Sequence, residues 1–186
     1  MTRFLLGDVT LNLEYQIMTR YIALLVAVVL APFARATDPD SAIEQKVSEL
    51  VKGPDVTVVH LWATWCPNCF MEIKDGGWKN FVTANPDTKF VFASVWDDGK
   101  DGRAVLEKFG VASLPNVTVV ADPGPRRGEK IARFLDTPVT WLPSTWIFKK
   151  GKLYYALNYG EIHFPILQQL VKDANEKWDR DSSIMK

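Results

Sequence analysis

The residues best suited to chemistry are Cys66 and Cys69, the only two cysteines of the chain, set in Trp62-Ala63-Thr64-Trp65-Cys66-Pro67-Asn68-Cys69. An apolar run, Val56 to Leu61, leads into them and a helical pattern follows. A Cys-x-x-Cys at a strand-to-helix junction is a redox signature. At a helix N-terminus the first sulfur faces unpaired backbone N–H groups and the positive end of the helix dipole, which favour a thiolate. The thiolate is the reactive form, and such settings lower a cysteine pKa from about 8.5 to about 3.5–7.5. One helical turn brings the second sulfur within reach. Cys66 therefore reads as the nucleophile that attacks a partner's disulfide, and Cys69 as the thiol that resolves the mixed disulfide. A structural disulfide or an inert pair is the competing reading.

Four further residues bear on that chemistry. Pro67 falls in the first turn of the helix, where its missing N–H costs nothing. Asn68, neutral and polar, is the tuning position; it lacks a cation to stabilise a thiolate strongly, which points to the reducing end of a range of roughly −270 to −120 mV. His60, on the apolar strand, is either a hydrogen-bonded core residue or a proton acceptor for Cys69. Glu72, three residues after Cys69, is either a solvated helix residue or a carboxylate relaying protons beside the cysteines. A four-ligand zinc site is not expected, because the only other soft ligands are His60 and the distant His163. No metal and no cofactor beyond the Cys66–Cys69 disulfide is expected.

These residues need elements to hold them. Ser41 and Glu44 form a capping box that opens a helix, with Ile43, Val47, Leu50 and Val51 on its apolar face and Gly53-Pro54 at its end. Val56 to Leu61 reads as a strand buried on both faces, as a central parallel strand is. The helix after Cys66 is interrupted at Gly76-Gly77, before Trp78, Phe81 and Val82. Lys89 to Trp96 reads as a second buried strand, followed by a polar loop, Asp97 to Gly102. Arg103 to Phe109 is a helix, Val117 to Ala121 a third strand, and Glu129 to Leu135 one or two helical turns. Ser144 to Phe148 and Leu153 to Asn158 form a hairpin across Lys149-Lys150-Gly151-Lys152. An amphipathic helix from about Phe164 to Trp178 closes the chain. Strands alternating with helices, then a hairpin and a helix, make a layered α/β domain with a mixed sheet.

The 186 residues suffice for one domain, and 47% hydrophobic with 24% charged residues is ordinary globular composition. Lys plus Arg balance Asp plus Glu at 22 each, with no basic stripe, so nucleic-acid binding has little support. Residues 1–36 read as an export signal: Met18-Thr19-Arg20 gives a positive start, Tyr21 to Phe33 an apolar stretch, and Ala34-Arg35-Ala36 a small-x-small cleavage site. Met1 to Ile17 carries Asp8 and Glu14 and fits no signal, which places the expected true start at Met18. Residues 37–186 form the single domain. The apolar stretch is shorter than the roughly 20 residues of a spanning helix, an uncleaved anchor being the alternative. Export implies an oxidising compartment, the bacterial periplasm by expectation, where a dithiol stays reduced only if something reduces it.

The motif Trp62 to Cys69 resembles the active-site motif of the thioredoxin superfamily. A second landmark of that family, a cis-proline before the sheet-closing hairpin, looks like Leu142-Pro143-Ser144-Thr145-Trp146. Leu114-Pro115 is the rival, but only Pro143 is followed by the hairpin turn and the final helix. The extra strand-and-helix segment of roughly Gly110 to Thr137, the export signal and Glu72 make the chain similar to the TlpA/ResA-like branch. The resemblance covers about Val56 to Ala174. It implies a thioredoxin-like fold, in which the backbone at Leu142 pairs with an extended substrate strand. It also implies an extracytoplasmic, bacterial thiol–disulfide oxidoreductase that reduces protein disulfides, acts as a monomer and draws electrons from a membrane thiol reductase. An oxidase or isomerase, or a redox-inert binding or chaperone module, are the alternatives. Many thioredoxins carry a buried acid six residues before the first cysteine; here that position is His60. Trp65, Trp141 and Trp146 are candidates either for the floor of the substrate groove or for the core.

Overall fold

The run Thr57–Trp62 forms β1, and every residue of it is buried, as a strand with neighbours on both sides and helices on both faces must be. In the computed structural model, residues 39–123, 130–158 and 162–176 are described. The expected export signal, residues 124–129 of the insert and the end of the final helix pattern lie outside the described residues. On one side β1 pairs in parallel with β2 (Lys89–Ser94), Thr57 opposite Lys89 and Trp62 opposite Ser94. Beyond β2 lies β3 (Val117–Val120), also parallel, with Ala93 opposite Val120. The C-terminal ends of three parallel strands thus lie side by side.

Parallel strands need long crossovers, and helices supply them. α1 (Pro39–Val51) precedes β1; α2 (Pro67–Lys74) and α3 (Gly77–Ala84) join β1 to β2; α4 (Arg103–Lys108) lies between β2 and β3. α1 begins at Pro39, so Ser41 is inside the helix and the expected capping box is not its start. The Glu44 carboxylate instead accepts the Leu135 N–H at 2.6 Å, tying α1 to the insert. The expected break at Gly76-Gly77 is present. Gly76 takes the left-handed conformation (φ 77°), and a Cβ on Gly77 would lie 2.2 Å from the Phe164 ring. Only glycine lets α3 approach Phe164 this closely.

Of the helical turns expected over Glu129 to Leu135, none is found among the described residues 130–135. The described part is a two-residue hairpin, β4 (Arg133–Phe134) with β5 (Thr137–Pro138), turning through Leu135 and Asp136, both with positive φ. That pair of left-handed residues matches the twist of a tight hairpin. Phe134 is fully buried and stacks on Trp146 at 6.5 Å between centroids, and Pro138 cannot continue a helix. β6 (Ser144–Lys149) and β7 (Lys152–Leu157) form the terminal hairpin, and β6 runs antiparallel to β1, Ser144 opposite Leu61. α5 (Phe164–Asn175) follows. The sheet order is β3-β2-β1-β6-β7. Trp78, Phe81, Phe92 and Phe164 form an aromatic cluster between sheet and helices. Among the described residues, no helix is long and apolar enough to cross a membrane.

Candidate active site

β1 stops at Trp62, whose carbonyl accepts the Val95 N–H at 2.8 Å from the neighbouring strand end. The chain then turns tightly over Ala63-Thr64-Trp65-Cys66, closed by Cys66 N–H to the Ala63 carbonyl at 3.1 Å. Cys66 is the N-cap of α2, in extended conformation, and its sulfur accepts the Cys69 N–H at 3.3 Å. Pro67 occupies the first turn, where no N–H is needed. Cys66 and Cys69 form a disulfide, with their Cα atoms 5.3 Å apart. Cys66 keeps 5% exposure while Cys69 has none, so the N-terminal sulfur is the one that a partner can reach. The Cys69 N–H and the positive end of the helix dipole are aimed at that same sulfur.

The mouth of the site is apolar and open. Trp65 and Trp141 are about half exposed, and Phe70 and Met71 on α2 are exposed beside them. Asn68 is exposed as well. Because Ser144 stands opposite Leu61, Leu142 and Pro143 fall beside the end of β1, next to the motif. Both are buried, and the peptide between them is cis. Trp146 does not belong to the mouth. It is fully buried at mid-strand opposite Val59, with its Nε1 donating to the Asn158 side chain at 3.3 Å. Two clefts of about 440 Å³ each, one against α1 and the other near the start of β2, hold neither cysteine.

His60 and Glu72 meet beneath the motif. Cys69, Glu72 and Ile73 form the buried face of α2, and Glu72 is one turn from Cys69. Its carboxylate accepts the Trp78 Nε1–H at 3.2 Å and the Ile162 N–H at 2.9 Å. His60 Nδ1 is 3.0 Å from the Thr145 hydroxyl, and its Nε2 is 3.8 Å from Glu72 Oε2. The latter distance is too long for a hydrogen bond. The imidazole is packed against Trp78 at 4.4 Å and Phe92 at 5.5 Å between centroids. Burial pushes its pKa down from 6.5 to about 3, so at neutral pH it is uncharged and the contact with Glu72 is not an ion pair.

Sequence reasoning missed Trp96, Asp97, Asp122 and Lys130. Asp97 opens the expected polar loop, yet it is buried and bonded to the motif turn. Trp65 Nε1 donates to the Trp96 carbonyl at 2.8 Å, and Lys130 lies over both indoles, 5.9 Å from Trp65 and 5.0 Å from Trp96. The one available signal was an acid directly after a strand whose parallel neighbour ends in the cysteine motif.

A central β1, parallel β2 and β3 on one side, an antiparallel hairpin on the other, and a cysteine pair opening the first helix after β1 together define a thioredoxin-like α/β fold. No protein-family model and no curated protein matches the chain. Solved structures do. A secreted Mycobacterium tuberculosis disulfide oxidoreductase, described as homologous to E. coli DsbE, is 16% identical, with 67% of this chain and 85% of that one covered and a TM-score of 0.47. A thiol-disulfide isomerase from Corynebacterium glutamicum is 16% identical over 67% of this chain and 83% of its own, with a TM-score of 0.47. StoA from Bacillus subtilis is 16% identical over 63% and 82%, with a TM-score of 0.41.

Proposed function

We propose that this protein is an exported thiol–disulfide oxidoreductase that reduces disulfides of other exported proteins. The observation that carries the reading is the cysteine pair itself: Cys66 caps α2, its sulfur receives a backbone N–H, and it alone of the two is open to a partner. In the reduced protein the Cys66 thiolate attacks one sulfur of a substrate disulfide. An S–S bond forms between Cys66 and the substrate, and the other substrate sulfur leaves as a thiolate that takes up a proton. Cys69 then loses its proton and attacks the Cys66 sulfur, releasing the second substrate thiolate. Two electrons and two protons pass to the substrate, and Cys66–Cys69 ends as the disulfide. A membrane thiol reductase returns the electrons.

Glu72 is the proton acceptor for Cys69 in this scheme. A neutral imidazole whose conjugate acid has a pKa of about 3 is too weak a base to deprotonate a thiol, so His60 is a wall of the site rather than its base. The substrate chain lies as an extended strand along the Leu142-Pro143 backbone, between the exposed Trp65 and Trp141 rings. The neutral Asn68 supports the reducing direction, and the signal-like residues 1–36 support export.

Redox titration of Cys66–Cys69 against glutathione or dithiothreitol tests the proposal. A midpoint below about −220 mV is expected for a reductase; one near −120 mV would make the protein an oxidase. No reversible couple at all would leave a binding or chaperone module. A Cys69→Ala variant, which stalls at the mixed disulfide, then captures the substrates.

A further inference from the structure

The three residues after β2 each hold a different part of the motif turn. Val95 N–H donates to the Trp62 carbonyl at 2.8 Å, and the Trp96 carbonyl accepts the Trp65 indole N–H at 2.8 Å. The Asp97 carboxylate takes both donors of Thr64: the N–H at 2.8 Å on Oδ2 and the hydroxyl at 3.0 Å on Oδ1. Oδ2 also accepts the Ser94 hydroxyl at 3.1 Å. Asp97 is only 3% exposed, so these bonds form out of water, where a carboxylate holds its donors tightly. Its own N–H donates at 2.6 Å to the carboxylate of Asp122, which follows β3 and is also buried. The ends of β3, β2 and β1 are thus linked in series, Asp122 to Asp97 to Thr64. Trp96 between them is held in the left-handed region, at φ 63°, a conformation unfavourable for a tryptophan.

Thr64 is the second residue of the turn that delivers Cys66 to the N-terminus of α2. We infer that Asp97 is a positioning residue for Cys66: its carboxylate fixes the turn, and so sets both the rate of Cys66 attack and the balance between dithiol and disulfide. The inference rests on the oxidoreductase reading. Three donors converge on two oxygens, a load that a carboxylate meets and a single hydroxyl does not. Asparagine keeps an acceptor oxygen for the Thr64 N–H and the Ser94 hydroxyl, and the Thr64 hydroxyl can turn to accept from its amide, so it preserves much of the geometry without the charge. With the turn released, the two sulfurs spend less time at bonding distance. The disulfide then weakens relative to the dithiol, and the potential rises.

The test compares wild type, Asp97→Ala, Asp97→Asn, Thr64→Val and Val82→Ala. The readouts are the midpoint potential and the pH profile of the reaction rate of the reduced protein with a small aromatic disulfide. Asp97→Ala is expected to slow the reaction about tenfold and to weaken the disulfide about tenfold, which is about 30 mV for a two-electron couple. Asp97→Asn should recover most of both losses, and Thr64→Val, which keeps the N–H, should show a smaller shift in the same direction. Val82→Ala weakens the core away from the motif and should lower stability while leaving potential and pH profile unchanged. Wild-type rates and potential in Asp97→Ala would overturn the inference. So would an equal redox shift in Val82→Ala, which would reduce the effect to lost stability. If Asp97→Ala does not fold, wild-type behaviour in Thr64→Val overturns it instead. A wild type with no reversible couple overturns the oxidoreductase reading, and this inference falls with it.

Discussion

An imidazole enclosed by Trp78, Phe92 and the sheet has no water to solvate a positive charge, which is why the His60 pKa falls to about 3. The unfolded chain releases the same group near 6.5. Between those values the unfolded state binds the proton and the folded state does not, so stability drops as pH falls through that window and is fully present above it. At pH 5 the loss is about 2 kcal/mol, from 1.5 units at 1.36 kcal/mol each. Urea unfolding at pH 7.5 and pH 5 should therefore show wild type losing about 2 kcal/mol more than His60→Asn. Parallel losses would mean that His60 is not buried neutral. Catalysis should divide differently between His60 and its neighbour Glu72. Removing the acceptor in Glu72→Gln is expected to slow release of substrate from the mixed disulfide by about 10² or more, with His60→Asn within a few-fold of wild type. Stopped-flow measurement of that step decides between them; an unchanged rate in Glu72→Gln would remove Glu72 from proton transfer.

At the scale of elements, glycine placement carries the clearest consequence. The missing Cβ of Gly77 lets α3 seat against Phe164 of α5, next to Trp78, the indole that donates to Glu72. Gly77→Ala should cost about 1–3 kcal/mol by overpacking, read from the urea midpoint, with a redox potential within error of wild type. A variant as stable as wild type would mean that the two helices can part freely. The helix break, β1 and the terminal hairpin were legible because Gly76-Gly77, a continuous apolar run and Lys-Lys-Gly-Lys are local signals. The β4–β5 hairpin was not, since its shape depends on Phe134 reaching Trp146 and on Glu44 holding Leu135 from 91 residues away. Asn116 was equally opaque: its amide donates to the carbonyls of Asn85 and Thr88, each at 3.0 Å, pinning the approach to β3. In the site, the cysteines announce themselves by spacing, whereas Asp97 acquires its role only when parallel pairing brings the end of β2 beside the end of β1.

For the whole molecule, the direction of electron flow is written into stability as well as into potential. Folding and disulfide formation close a thermodynamic cycle, so the difference in potential between folded and unfolded chains equals the difference in stability between oxidised and reduced protein. Each 30 mV by which folding lowers the potential makes the oxidised protein about 1.4 kcal/mol more stable than the reduced one. A protein oxidase lies on the opposite side of the cycle: its reduced form is the more stable, which is what makes it a strong oxidant. The motif here sets a neutral Asn68, which adds no cation to hold a Cys66 thiolate, beside a Cys69 that is fully buried, where a charged thiolate is disfavoured. The oxidised form should accordingly unfold at the higher urea concentration. Parallel denaturation curves, with dithiothreitol and without, measure this without a substrate or a redox partner. A reduced form that outlasts the oxidised one would reverse the proposed direction and make this protein a donor of disulfides.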